Sequence, residues 1–130
     1  HALAPALEDV DRMARAAWDS LPEAFRAMAG DVIIRVEDWA SEEVLDEMRI
    51  EDPYELTGLY VGVDLTQRSI MDPAPSAPMV FLYRRAILDE WIAHADVPLD
   101  HLVAHVLVHE IGHHFGLSDE QMDAILEQAD

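Results

Sequence analysis

The chain of 130 residues has no cysteine, which excludes disulfides and any thiolate metal site. Basic residues are scarce: eight Lys and Arg stand against 27 Asp and Glu, a formal charge of −19. That field repels phosphate backbones and anionic lipid, so neither nucleic acid nor a membrane surface is expected as a partner. Basic peptides or protein segments are the electrostatically favoured ones. No run of about 18 apolar residues is present to span a bilayer. The first residues lack a basic region followed by an apolar stretch, the pattern of a secretory signal. With zero cysteines, the expected location is cytoplasmic. The length suits a single domain over residues 1–130 with one core.

What is present is a clear alternation of helical and strand periods. Leu7, Val10, Met13, Ala14, Ala17 and Trp18 recur at three- and four-residue spacing and predict helix within residues 5–28. Pro22 breaks or restarts it, and Gly30 is placed as its stop. Residues 31–38 alternate as a strand, with Val32, Ile34 and Val36 on its apolar face. Ser41 caps a short helix with Val44, Leu45 and Met48 inward, ended by Asp52-Pro53. Residues 56–63 read as a second strand, weakened by Gly58 and Gly62. Residues 64–78 carry three prolines and read as the longest loop. The apolar run Met79 to Arg84 is a third strand, interior to the sheet or covered on both faces. A helix over about 86–95 follows, then one over about 98–115 that is apolar nearly all round and therefore buried.

That last helix carries His109-Glu110-Ile111-Gly112-His113. At 3.6 residues per turn the two histidines lie about 40° apart around the axis and about 6 Å apart along it, so both can reach one ion. Glu110 lies too far round to join the chelate easily, yet within reach of a water at the ion. Random ordering of this composition yields the pattern in roughly 3% of shuffles, so context must carry the assignment. The buried helix supplies that context. Zinc accepts neutral imidazole, and a catalytic site needs a third protein ligand plus one open position. Gly116 permits a sharp reversal that brings Asp119 back toward the histidine face. Asp119 equally suits the first turn of a helix opened by Ser118, where an acid complements the dipole. Glu120 and Asp123 are its competitors as ligand.

The eleven residues His109 to Asp119 fit H-E-x-x-H-x-x-G-x-x-D, which resembles the signature of the minimal zincins, small bacterial zincin-like metallopeptidases. Asp52-Pro53-Tyr54-Glu55-Leu56-Thr57-Gly58-Leu59-Tyr60, Leu82-Tyr83-Arg84-Arg85 and Leu88-Asp89-Glu90-Trp91 resemble the same family in the same order. The resemblance covers the chain from about residue 31 onward. It implies an α+β fold, a small zincin-like domain whose roughly three-stranded sheet packs against helices, including the buried metal-site helix. It implies Zn2+ held by His109, His113 and Asp119, with Glu110 as general base. The pattern is also similar to that of the metzincins, but Asp119 stands where they carry a third His. No separate Met-turn follows, and Met122 reads as core.

The activity so implied is hydrolysis of peptide bonds in a peptide or protein substrate, possible donors to the oxyanion being Tyr60, Tyr83, Arg84 and Arg85. The alternative is a non-catalytic metal-binding or protein-interaction domain that retains the site. An RNA-processing metallohydrolase is disfavoured by the charge of −19. His101, His105, His109 and His113 recur every four residues. His105 reads as a partly exposed member of that stripe or a support to His109, and His114 points away. Gly112 costs about 1 kcal/mol in a helix interior and implies close approach by another element, expected to be a strand.

Overall fold

The structure is a computed structural model that describes residues 4–62, 77–94 and 96–129. Helix α1 spans Leu7–Ser20 and buries Val10 and Ala14 completely. Its outer face carries the Asp9–Arg12 and Asp11–Arg15 ion pairs. Pro22, which has no N–H to leave unpaired, opens α2 over Glu23–Ala29. Gly30 closes it at φ +78°, a conformation open to a residue without Cβ. Strand β1 follows at Ile33–Glu37. Helix α3, Glu42–Glu47, begins where the Ser41 side chain accepts a hydrogen bond from the Val44 N–H at 3.2 Å.

Two expectations change here. α3 ends well before Asp52-Pro53, because Arg49 leaves the helix at φ +57°. Met48, expected inward, falls at the C-cap and is 42% exposed. Asp52 instead caps a 3₁₀ turn over Pro53–Glu55 by accepting from the Tyr54 N–H at 3.0 Å.

Strand β2 is Gly58–Val61 and β3 is Met79–Tyr83. The sheet order is β1-β3-β2, with β3 parallel to β1 and antiparallel to β2. The continuous apolar run of β3 is thus central, as its composition requires. Val80 and Leu82 face the main core, while Phe81 and Tyr83 join a second cluster with Ala40, Leu56 and Ala86. The expected loop at 64–78 lies, through residue 76, outside the described residues.

Helix α4 runs from Arg84 to Ala93. Arg84 braces its start by donating to Asp38 at 2.9 Å and to the Pro5 carbonyl at 2.7 Å. Helix α5, Leu99–His114, buries Val103, Val106, Leu107, Val108 and Ile111 against α1 and the sheet. Each such side chain contributes about 1.5–3 kcal/mol on burial. That easily outweighs the roughly 1 kcal/mol helix penalty of Gly112. Helix α6, Asp119–Gln128, folds back along α5 and buries Met122. No helix among the described residues is long and apolar enough to cross a membrane.

Candidate metal centre

The α5–α6 junction is fixed by local chain chemistry. Gly116 adopts φ +76°. Its N–H donates to the His113 carbonyl at 3.1 Å, and the Leu117 N–H donates to the Gly112 carbonyl at 2.9 Å. These two bonds satisfy the last carbonyls of α5 in the Schellman pattern. Ser118 then opens α6 with a reciprocal cap. Its Oγ accepts from the Gln121 N–H at 3.1 Å, and its own N–H donates to Gln121 Oε1 at 2.8 Å. The reversal occupies only a few residues, so the first turns of α6 face the last turns of α5.

Gly112 lets the two helices approach. A β-carbon there would meet Met122 Sδ and would stand 2.8 Å from Met122 Cγ. The neighbour that excludes a side chain at Gly112 is therefore α6 and not the strand expected from sequence. A strand does reach α5, but the glycine that allows it lies on β2. A β-carbon at Gly58 would stand 2.9 Å from Val106 Cγ1, 3.0 Å from Glu110 Cγ and 3.0 Å from the Phe81 carbonyl oxygen. Its signal was available: glycine inside a strand often marks close backbone approach.

Across the junction, His113 Nε2 lies 3.8 Å from Asp119 Oδ1, and His109 Nε2 lies 3.8 Å from Asp123 Oδ1. His109, His113 and Asp119 each offer a donor atom, all within 4.8 Å of one another. A direct N–H···O hydrogen bond needs about 2.7–3.2 Å, so 3.8 Å is not one. Bonds of about 2.0–2.1 Å to a tetrahedral ion set neighbouring donors about 3.3 Å apart. The His113–Asp119 pair stands about 0.5 Å beyond that, and the set as a whole, with donors up to 4.8 Å apart, would have to close by as much as about 1.5 Å to seat an ion. His109 Nε2 is also buried and has no hydrogen-bond partner among the described residues. A buried polar atom left unpaired is costly, and a metal ion would satisfy it. The donor set of two imidazoles and a carboxylate fits a divalent ion of borderline softness.

Electrostatics favour the same use. Burial is the main force holding the His109 pKa below its ordinary value. Neighbouring His105 and His113 add to this, while Asp119 and Asp123 oppose it. A neutral imidazole is the form that binds metal. Glu110 is half-buried beneath β2, and burial raises its carboxyl above the ordinary range, partly offset by His113. A raised carboxyl pKa is the usual adaptation of a proton-transferring acid or base.

The surrounding histidines divide. His105 stacks on His109 with ring centroids 3.9 Å apart and planes 22° apart, which steadies the His109 ring. His114 packs instead on Tyr60 of β2 at 4.2 Å, against Gly62. Glu120 is exposed and joins no ion pair among the described residues, whereas Asp123 faces His109. Of the four candidate oxyanion donors, Arg84 is engaged with Asp38 and Pro5, and Arg85 is exposed in the first turn of α4. Tyr83 is 2% exposed, its pKa pushed up to about 12 by burial and by the charges of Glu37 and Glu110. Tyr60 lies on the face of β2 that packs toward α5, its ring tilted 37° against that of His114.

No curated protein is significantly similar to the chain. A family model does match, over residues 29–129, and it spans the sheet, α5, Gly116 and Asp119 alike. The chain therefore belongs to the zincin-like metallopeptidase family.

Proposed function

We propose that the chain is a zinc-dependent peptidase in which His109, His113 and Asp119 hold the metal and Glu110 is the general base. The observation that carries this reading is the convergence of the three donors within 4.8 Å beside the half-buried Glu110 carboxyl. Zinc held by His109, His113 and Asp119 would supply Lewis acidity, lowering the pKa of water toward 7 and polarising a carbonyl. The Glu110 carboxylate takes the proton of the attacking water and returns it to the departing amine nitrogen. Its raised pKa suits both halves of that transfer, because a base must hold the proton before it can donate it. His105 keeps the His109 ring in orientation through their stacked contact.

β2 supports a binding mode for the substrate. Among the described residues it is an edge of the sheet, and it crosses α5 at Gly58 beside Glu110. An extended peptide adding to that edge would lay a scissile bond along the metal helix. The charge of −19 favours basic segments.

A second reading is a metal-binding domain without turnover. The openness of the site favours it: the His113 and Asp119 side chains are 58% and 81% exposed. Zinc content and cleavage of a diverse peptide library separate the two. Wild-type cleavage that Glu110→Gln abolishes with zinc retained supports the peptidase. Zinc binding with no peptide cleaved supports the other. Unchanged zinc affinity in Asp119→Ala would remove Asp119 from the ligand set.

A further inference from the structure

We propose that Asp123 is a fourth protein donor to the metal, one that competes with water for the position a catalytic zinc leaves open. The inference rests on the metal-site reading above and adds a residue to it. α5 presents His109 and His113 one turn apart, and α6 presents Asp119 and Asp123 one turn apart. The pairs match crosswise, His113 with Asp119 and His109 with Asp123, both at 3.8 Å. Asp123 thus meets His109 at the distance at which Asp119 meets His113, while among the described residues the set of donors within 4.8 Å of one another comprises His109, His113 and Asp119. An aspartate that merely oriented the imidazole would accept a hydrogen bond from a ring N–H, at about 2.7–3.2 Å. Asp123 lies beyond that reach and faces Nε2, the buried nitrogen without a partner. Its side chain is 64% exposed and meets no Arg among the described residues, so no competing ion pair holds it.

The chemistry of a second carboxylate is distinct from that of the first. Two neutral imidazoles and one carboxylate leave a divalent ion with a net positive charge. Asp123 cancels it, which tightens binding and fills the fourth position of a tetrahedral site. The site then has a closed form with Asp123 engaged and an open form with water in its place. To pass between them the exposed Asp123 turns about its own side-chain bonds toward the other donors.

The test is zinc affinity by chelator competition at neutral pH, with Asp123→Asn, Asp119→Asn, the double variant and Glu120→Gln. All three positions are exposed, and unchanged helical circular dichroism checks the fold. Asp123→Asn is expected to weaken zinc binding by at least the roughly tenfold that even outer groups contribute. Asp119→Asn keeps a weakened site, and the double variant loses at least about tenfold more. Glu120→Gln removes the same charge beside the site without removing a donor, and should stay within a factor of two of wild type. The visible bands of the Co2+-loaded protein shift in Asp123→Asn and stay put in Glu120→Gln. Wild-type affinity in Asp123→Asn, or equal losses in Asp123→Asn and Glu120→Gln, overturns the proposal. If the affinities fall as expected while no peptide is cleaved, Asp123 stands and the peptidase reading falls. If wild type binds no zinc, both fall.

Discussion

Replacing Gly112 by Ala should reverse the usual sign of that substitution. In an exposed helix interior Gly→Ala stabilises by about 1 kcal/mol, through backbone entropy. Here the new methyl meets Met122 Sδ and lies 2.8 Å from its Cγ, where ordinary contact begins at 3.4 Å. Met122 is fully buried and cannot swing into solvent. Either its side chain leaves a preferred rotamer or α6 backs away by more than half an ångström. Overpacking of this kind costs about 1–3 kcal/mol. The net expectation is a loss of about 0–2 kcal/mol, read as a Tm lowered by up to about 10 °C. If α6 is what yields, Asp119 and Asp123 move off the histidines and zinc affinity falls as well. Thermal melts and chelator competition measure both. In a Met122→Ala background the obstruction is gone, and Gly112→Ala should recover its ordinary gain of about 1 kcal/mol. A rise in Tm for the single variant in the wild-type background would refute the reasoning.

Other substitutions test the remaining contacts. Gly58→Ala places a methyl against Val106, Glu110 and the Phe81 carbonyl. It should cost about 1–3 kcal/mol and impair peptide cleavage more than zinc binding, as kinetics and metal analysis can show. Ser118→Ala removes the Oγ acceptor of the α6 cap while leaving the backbone N–H that donates to Gln121 Oε1, and chemical denaturation should register a loss of about 1 kcal/mol. The pH dependence of the metal-free protein has a definite sign at Glu110. Its folded pKa is raised, so the native state binds more protons than the unfolded chain above 4.5, and stability is lost as pH rises through the folded value. Glu110→Gln lacks that titration. Its melting temperature should therefore gain on wild type across that window and keep a constant difference below pH 4.5. His109 runs the other way, with its lowered folded pKa: its contribution is full above 6.5 and is lost as pH falls through the folded value.

The strongest signals in the sequence are those whose physics is local. The apolar circumference of α5, the reversal at Gly116 and the Ser118–Gln121 cap all depend on residues within a few positions of one another. So does the break at Pro22, where a missing N–H has an immediate consequence. The central place of β3 is also legible, because a strand covered on both faces must be apolar throughout. What local pattern does not hold is which element lies opposite. Gly112 announces a close neighbour, but only packing shows that the neighbour is Met122. Gly58 reads as a weak point in a strand until the strand is laid across α5. The His109–Asp123 spacing depends on how α6 tilts after the turn, and the His105–His109 stack on rotamers that spacing alone does not select. Met48 illustrates a smaller failure: an apolar residue at helical spacing is exposed because the helix has already ended.

The donors on either side of Gly116 are close neighbours along the chain, whereas the roof over Glu110 comes from a strand far upstream. Joining His109 to Asp119 closes a short loop and costs little chain entropy; bringing Gly58 onto Val106 closes a long one. The proposed ligands across Gly116 thus depend on the last two helices alone, whereas the altered acidity of Glu110 depends on β2 being docked over α5.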